Sequence, residues 1–235
     1  MSLDGSLLRL DPATGAASAL NPFSSDVDPN RRRVVAYGMR NPFRFAFRPG
    51  TSEVWIGDVG SGTWEEIDRL VSPTSPATNF GWPCYEGEPR APGFDSLNLN
   101  QCESLYAEST AVGPYYSYNH SANVVAGESC TTGRSSISGL AFYDRAHLGG
   151  NYPAAYDDAL FFADHSRNCI WAMRRGSNGL PDPSKIEAFD APAGNPVDLE
   201  IGPGGDLYYV TSTEARSTGS STHRPAMPQI RRPSP

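Results

Sequence analysis

No stretch of this chain approaches the roughly 20 consecutive apolar residues that a membrane-crossing helix requires. The opening residues, Met1-Ser2-Leu3-Asp4-Gly5, carry no signal-peptide pattern. No amphipathic periodicity longer than two helical turns stands out. The four cysteines, Cys84, Cys102, Cys130 and Cys169, are widely spaced and form no C-x-x-C pair, which excludes the common zinc and dithiol-redox motifs. There is no glycine-rich phosphate loop, nucleophile elbow or zinc signature. Gly202-Pro203-Gly204-Gly205 reads as a hairpin turn, because a proline interrupts it and no helix follows. Positive charge is also scarce. Before the C-terminal tail only Arg31-Arg32-Arg33 is densely basic, and it reads as a solvated turn before a strand. With a net charge of −7, nucleic acid is excluded as the main partner.

Turn formers and aromatics are abundant. The 23 glycines, 21 prolines and 11% aromatic content suit a chain cut into many short strands. Arg44-Phe45-Ala46-Phe47-Arg48 alternates with the period of a half-buried strand, Pro49-Gly50-Thr51-Ser52 turns, and Glu53 to Asp58 returns. Glu65 to Leu70 continues the meander. The same unit recurs as Val197 to Ile201, the Gly202–Gly205 turn, and Asp206 to Val210. Between them lie strands at Leu140–Tyr143, Ala159–Ala163, Cys169–Met173 and Ile186–Phe189. Recurring four-stranded meanders predict an all-β fold of the β-propeller class, with about four blades at ~40–50 residues each. The reading places this partial propeller in residues 1–210, beginning mid-blade after an N-terminal truncation. Residues 84–136 form a long loop carrying three of the four cysteines, and 211–235 a disordered Ser/Thr/Pro/Arg-rich tail.

Three motifs stand in register: Gly38-Met39-Arg40-Asn41-Pro42-Phe43-Arg44, then Ile56-Gly57-Asp58-Val59-Gly60 with Trp64-Glu65-Glu66-Ile67, then Asn79-Phe80-Gly81-Trp82-Pro83. Together they resemble consecutive segments of the glucose/sorbosone dehydrogenase family, which includes soluble quinoprotein glucose dehydrogenases, aldose sugar dehydrogenases and hedgehog-interacting-like proteins. The resemblance is clear over residues 5–87 and weaker through 138–210. It implies a six-bladed propeller that binds pyrroloquinoline quinone (PQQ) and calcium, and oxidises an aldose to its lactone or acid with transfer of electrons to an acceptor. Arg40 and Asn41 match positions that contact the quinone, where a guanidinium fork suits a carboxylate. Gly60 and Ser61 match positions whose backbone carbonyls ligate the cofactor calcium. Glu66, Phe80 and Glu86 match a second, structural calcium site, whose hard oxygen donors suit Ca²⁺.

The resemblance also marks departures. Ser166 stands where the family has a lysine, with Arg167 beside it, and Asn195 and Val197 stand where it has arginines. The clamp for an anionic cofactor is thereby reduced. The family's catalytic histidine belongs to earlier blades, so the isolated chain is expected to be inactive. His120 is a candidate base or substrate contact in the long loop, and His165 a weaker one; His147 and His223 look incidental. The even cysteine count suits disulfides and an extracellular or periplasmic parent protein. Cys84 with Cys102 and Cys130 with Cys169 is the expected pairing, although spacing does not fix connectivity. Beside the sugar dehydrogenase stand two other readings. One is a non-catalytic propeller binding glycan or protein; the other is a calcium-dependent hydrolase, for which no converging carboxylate and amide set is evident.

Overall fold

A computed structural model describes residues 2–212 except Ser75 and residues 146–151. His147, His223 and nearly all of the expected tail therefore lie outside the described residues. Only Thr211 and Ser212 of that tail are described, and Thr211 ends the last strand. The chain forms two compact units, meeting in sequence between Ala122 and Asn123.

The first unit holds two sheets. Strands β1 (Leu7–Leu8), β2 (Val34–Tyr37) and β6 (Thr78–Asn79) lie in the order β1-β2-β6, with β2 and β6 parallel. The three arginines before β2 form a short 3-10 turn, and Arg31 is exposed, as the charge run suggested. Strands β3 (Pro42–Phe47), β4 (Val54–Asp58), β5 (Trp64–Leu70) and β7 (Tyr116–Asn119) form an antiparallel sheet in that order. Exposure alternates along β3 with the expected period but the opposite phase: Phe43, Phe45 and Phe47 are exposed while Arg44 and Ala46 are half-buried, whereas all five residues of β4 are buried. A central strand covered on both faces accounts for the unbroken run Val-Trp-Ile. Val35, Ala36, Met39, Val54, Ile56, Leu70 and Phe80 make the core between β2 and this sheet.

The second unit repeats the blade. Strands β8 (Ile137–Phe142), β9 (Leu160–Asp164), β10 (Cys169–Arg175) and β11 (Pro181–Asp190) are antiparallel neighbours in sequence order. Strands β12 (Pro196–Ile201) and β13 (Leu207–Thr211) form a two-stranded hairpin across the Gly202–Gly205 turn. Phe161, Ile170, Leu199 and Leu207 lie in its main apolar cluster, and burying each such side chain stabilises the fold by roughly 1.5–3 kcal/mol. Meandering four-stranded sheets of this kind are propeller blades, and the fold class is all-β propeller.

Three local expectations needed revision. The long loop is not irregular throughout: it contains α1 (Pro92–Asp95), α2 (Asn100–Glu108) and β7. Helix α2 runs nine residues, longer than two turns, and Cys102 and Tyr106, one turn apart, are its buried residues. Leu7-Leu8-Arg9-Leu10-Asp11-Pro12 reads in sequence as a strand ending in a turn, but the strand ends at Leu8, and Leu10 bridges to Ala17 instead. Both disulfides form as paired above, Cys84–Cys102 and Cys130–Cys169.

Candidate functional site

Strands β2, β4 and β6 deliver their C-terminal turns, residues 38–41, 59–63 and 80–83, to one end of the first unit. Backbone bonds tie them together: Trp82 N–H donates to the Gly38 carbonyl at 2.7 Å and Val59 N–H to the Asn41 carbonyl at 3.1 Å. Gly38 has φ +76°, and a Cβ there would lie 2.2 Å from Asn79 Oδ1, so this crossing admits glycine alone.

Asp58, the last residue of β4, sets the first turn. Its Oδ2 accepts the Arg40 N–H at 2.8 Å and its Oδ1 the Asn41 N–H at 2.6 Å. The Arg40 guanidinium donates through Nη1 to the Val59 carbonyl at 3.0 Å and lies 5.7 Å from the Trp82 ring centre. Arg40 and Asn41 are both exposed. Pro42 fixes the backbone direction immediately after them. The turn thus presents a cation and an amide to solvent on a backbone held from beneath.

Glu86 organises the second turn. One oxygen, Oε1, accepts the N–H groups of Ser61, Gly62, Thr63 and Trp64 at 2.8–3.2 Å. Burial by itself would raise the Glu86 pKa, but the N–H groups of Gly62, Thr63, Trp64 and Ser61 hold it below the usual carboxylate value. Gly60 passes so close to Trp64 that a Cβ would sit 1.5 Å from the Trp64 carbonyl oxygen. Phe80 is buried, its N–H bonded to the Tyr37 carbonyl.

Beneath the turns, three carboxylates share one face of the sheet. Asp58 and Glu66 are cross-strand partners on β4 and β5, and Asp68 lies two residues beyond Glu66. Ligand oxygens of Asp58, Glu66 and Asp68 all lie within 4.8 Å of one another, and all three residues are buried. Burial, opposed by the Arg40 and Asn41 N–H groups and the Arg40 charge, pushes Asp58 up to about 6. Glu66 is pushed to about 8, first by burial and then by the charges of Asp58, Glu86 and Glu65, although its carboxylate accepts the Gly87 N–H at 2.6 Å. Burial, with Glu66 and Asp58 beside it, puts Asp68 well above the usual range. Among the described residues neither carboxylate oxygen of Asp68 has a hydrogen-bond partner. Asp58 and Asp68 were not among the residues singled out from the sequence; the i, i+2 spacing of Glu66 and Asp68 on a strand was the available signal.

His120 follows β7 at this same end. Its N–H donates to the Thr63 carbonyl at 2.9 Å, and its Nε2 lies 2.8 Å from Oε1 of Glu65. Glu65 is wholly buried and the His120 side chain is 13% exposed.

In the second unit, Ser166 and Asn195, two of the departures noted in the sequence, are neutral groups with partners. Ser166 Oγ lies 2.7 Å from Ser136 Oγ, and Asn195 Nδ2 donates to the His165 carbonyl at 2.8 Å. Arg167 is fully buried, its Nε donating to Ser135 Oγ at 2.7 Å. His165 Nε2 lies 2.7 Å from Ser212 Oγ.

Known proteins share this fold. The family model for glucose/sorbosone dehydrogenases matches residues 1–217. The PQQ-bound aldose sugar dehydrogenase of Streptomyces coelicolor superposes with a TM-score of 0.58 at 22% identity, covering 94% of this chain and 49% of that one. The soluble aldose sugar dehydrogenase of Escherichia coli, in its apo form, gives 0.61 at 22% identity, covering 88% and 51%. This chain spans about half the length of these solved structures. A family match over nearly the whole chain, and a blade end built from its three motifs, lead to one conclusion: the chain belongs to the glucose/sorbosone dehydrogenase family.

Proposed function

We propose that this chain carries part of the cofactor-binding rim of a quinone-dependent sugar dehydrogenase. The observation that carries the reading is the double anchor on Asp58, which holds Arg40 and Asn41 outward next to the Gly60–Ser61 turn. The residues of this rim fit an anionic quinone in part. Among the described residues Arg40 makes a single side-chain hydrogen bond, to Val59, which leaves most of its fork for a carboxylate. The Asn41 amide offers a donor and an acceptor beside it. The carbonyls of Gly60 and Ser61 would be the donors for the cofactor's Ca²⁺, on a turn whose amides from Ser61 to Trp64 are occupied by Glu86. When bound, the quinone supplies the acceptor for a hydride from the sugar carbon, with Ca²⁺ as Lewis acid.

The chain's own residues position and brace. Asp58 sets the direction of the Arg40 turn, and Glu86 sets the conformation of the Gly60 turn. His120, bound to Glu65 on β5, anchors Thr63 and is assigned a bracing role instead of proton abstraction. Glu66, Phe80 and Glu86 are the residues that would supply the structural calcium implied by the resemblance, with one Glu86 oxygen already held by the loop amides. An extracellular or periplasmic setting accords with the two disulfides. No helix among the described residues is long and apolar enough to cross a membrane.

A second reading, a non-catalytic propeller module binding glycan or protein, is favoured by the neutral Ser166, Asn195 and Val197. A cavity of about 240 Å³ lined by Tyr37, Asn79, Trp82 and Gln101 also supports it, because aromatic faces beside amides suit sugar rings.

Calorimetric titration with PQQ, with and without Ca²⁺, separates the two. The dehydrogenase reading expects micromolar, calcium-dependent binding that Arg40→Ala abolishes. Absence of quinone binding, with sugar binding retained, would establish the module instead.

A further inference from the structure

We propose that Asp58, Glu66 and Asp68 form a buried divalent-cation site suited to Ca²⁺, and that its occupancy holds the Arg40–Asn41 turn in place through Asp58. This ligand set shares only Glu66 with the positions that the family resemblance marks for calcium, and it does not require a quinone.

Geometry supports it first. Oxygens bonded to one Ca²⁺ at 2.3–2.6 Å can stand no more than about 5 Å apart. The three carboxylates here offer oxygens that all lie within 4.8 Å of one another. Cross-strand pairing of Asp58 with Glu66 and the strand period that adds Asp68 set this spacing by backbone register, not by flexible side chains.

Chemistry supports it second. Asp68 is fully buried, and both of its oxygens lack a hydrogen-bond partner among the described residues. Buried carboxylates are ordinarily hydrogen-bonded, paired with a cation or bound to a metal. The charges that act on Asp68 are those of Glu66 and Asp58, both of its own sign. A divalent ion at the centre answers all three carboxylates at once. Hard oxygen donors select calcium over the softer transition metals.

Coupling to the rim follows from Asp58. A carboxylate offers about four lone-pair sites. Two are engaged by the Arg40 and Asn41 N–H groups, which leaves lone pairs on a carboxylate that has an oxygen within 4.8 Å of Glu66 and Asp68. An ion in the cluster holds Asp58 as the anion that best accepts those two bonds. Without it, the three carboxylates repel one another, Asp58 moves from its neighbours, and the Arg40–Asn41 turn loosens.

The test is calcium titration of chelator-stripped protein without quinone, comparing wild type with Asp68→Asn, a near-isosteric change. Ca²⁺ affinity is expected to fall by about 100-fold or more in the variant, because ligand charge sets calcium affinity. Glu66→Gln provides a second variant with the same expected loss. Stripped Asp68→Asn is also expected to melt at a higher temperature than stripped wild type, since it relieves repulsion that only the metal offsets. In parallel, trypsin cleavage after Arg40, mapped by mass spectrometry, should accelerate on chelation in wild type and become calcium-insensitive in Asp68→Asn. Equal calcium binding by wild type and both variants would overturn the site. Unchanged cleavage at Arg40 on chelation would overturn the coupling. Arg40→Ala is expected to keep calcium binding while losing quinone binding, so failure of this site and failure of the quinone reading give different results.

Discussion

Removing the Glu86 carboxylate should release the turn that carries Gly60 and Ser61. In the native structure one oxygen receives four backbone N–H groups, from Ser61 to Trp64. A hydrogen bond to a charged acceptor contributes about 1.5–3 kcal/mol net. The four do not add at that value, because they crowd one oxygen and because Ser61, Gly62 and Thr63 are exposed, so water can take the acceptor's place. Glu86→Gln keeps a neutral acceptor and is expected to cost about 1–2 kcal/mol; Glu86→Ala, which keeps none, about 3 kcal/mol. Urea unfolding gives the free energy, and hydrogen exchange gives its location: amides 61–64 should exchange faster in both variants, while those of β4 stay protected. If Glu86→Ala leaves both the unfolding midpoint and exchange at 61–64 unchanged, the carboxylate does not organise this turn and the reasoning fails.

The two disulfides should differ in weight. Cys130–Cys169 spans 39 residues and Cys84–Cys102 spans 18, so loop-closure entropy assigns them about 4 and about 3 kcal/mol. Thermal melts of the paired Cys→Ser variants should rank accordingly, and a larger loss for the shorter loop would contradict that account. Glu53, at the far end of the blade, accepts bonds from Arg69 and from Trp55 Nε1 and lies 3.7 Å from Arg48. Burial works to raise its pKa, but these partners hold it below the ordinary 4.5. A lowered carboxylate stabilises the fold above its unfolded pKa and ceases to do so as pH falls through the folded value. Glu53→Gln should therefore be less stable than wild type at pH 7, with the gap closing towards pH 3; a gap independent of pH would sink this assignment.

Local chemistry made the hairpins legible. Pro49-Gly50 and Gly202–Gly205 turn where turn formers must, and the apolar run of β4 survives into the fold, whereas the period of β3 was legible but not which face it buries, since its phenylalanines are the exposed residues. The Arg40-Asn41-Pro42 turn was also legible, because a short motif carries it. Strand β7 was not, since Tyr116–Asn119 lies among Gly, Pro and Asn residues and pairs with β5, some 50 residues earlier. Helix α2 was missed because its apolar stripe consists of little more than Cys102 and Tyr106. The carboxylate cluster depends on cross-strand register between β4 and β5, which no single segment encodes. Glu86 looked like a calcium ligand in sequence, and the fold adds that its oxygen closes a turn 22–25 residues away.

The most direct measurement is a crystal structure of the protein grown with PQQ and Ca²⁺. The account predicts a quinone carboxylate on the Arg40 guanidinium and an ion at the Gly60 and Ser61 carbonyls, with Asp58 still accepting the Arg40 and Asn41 N–H groups. A quinone bound without touching Arg40, or density for neither group at this blade end, would contradict it.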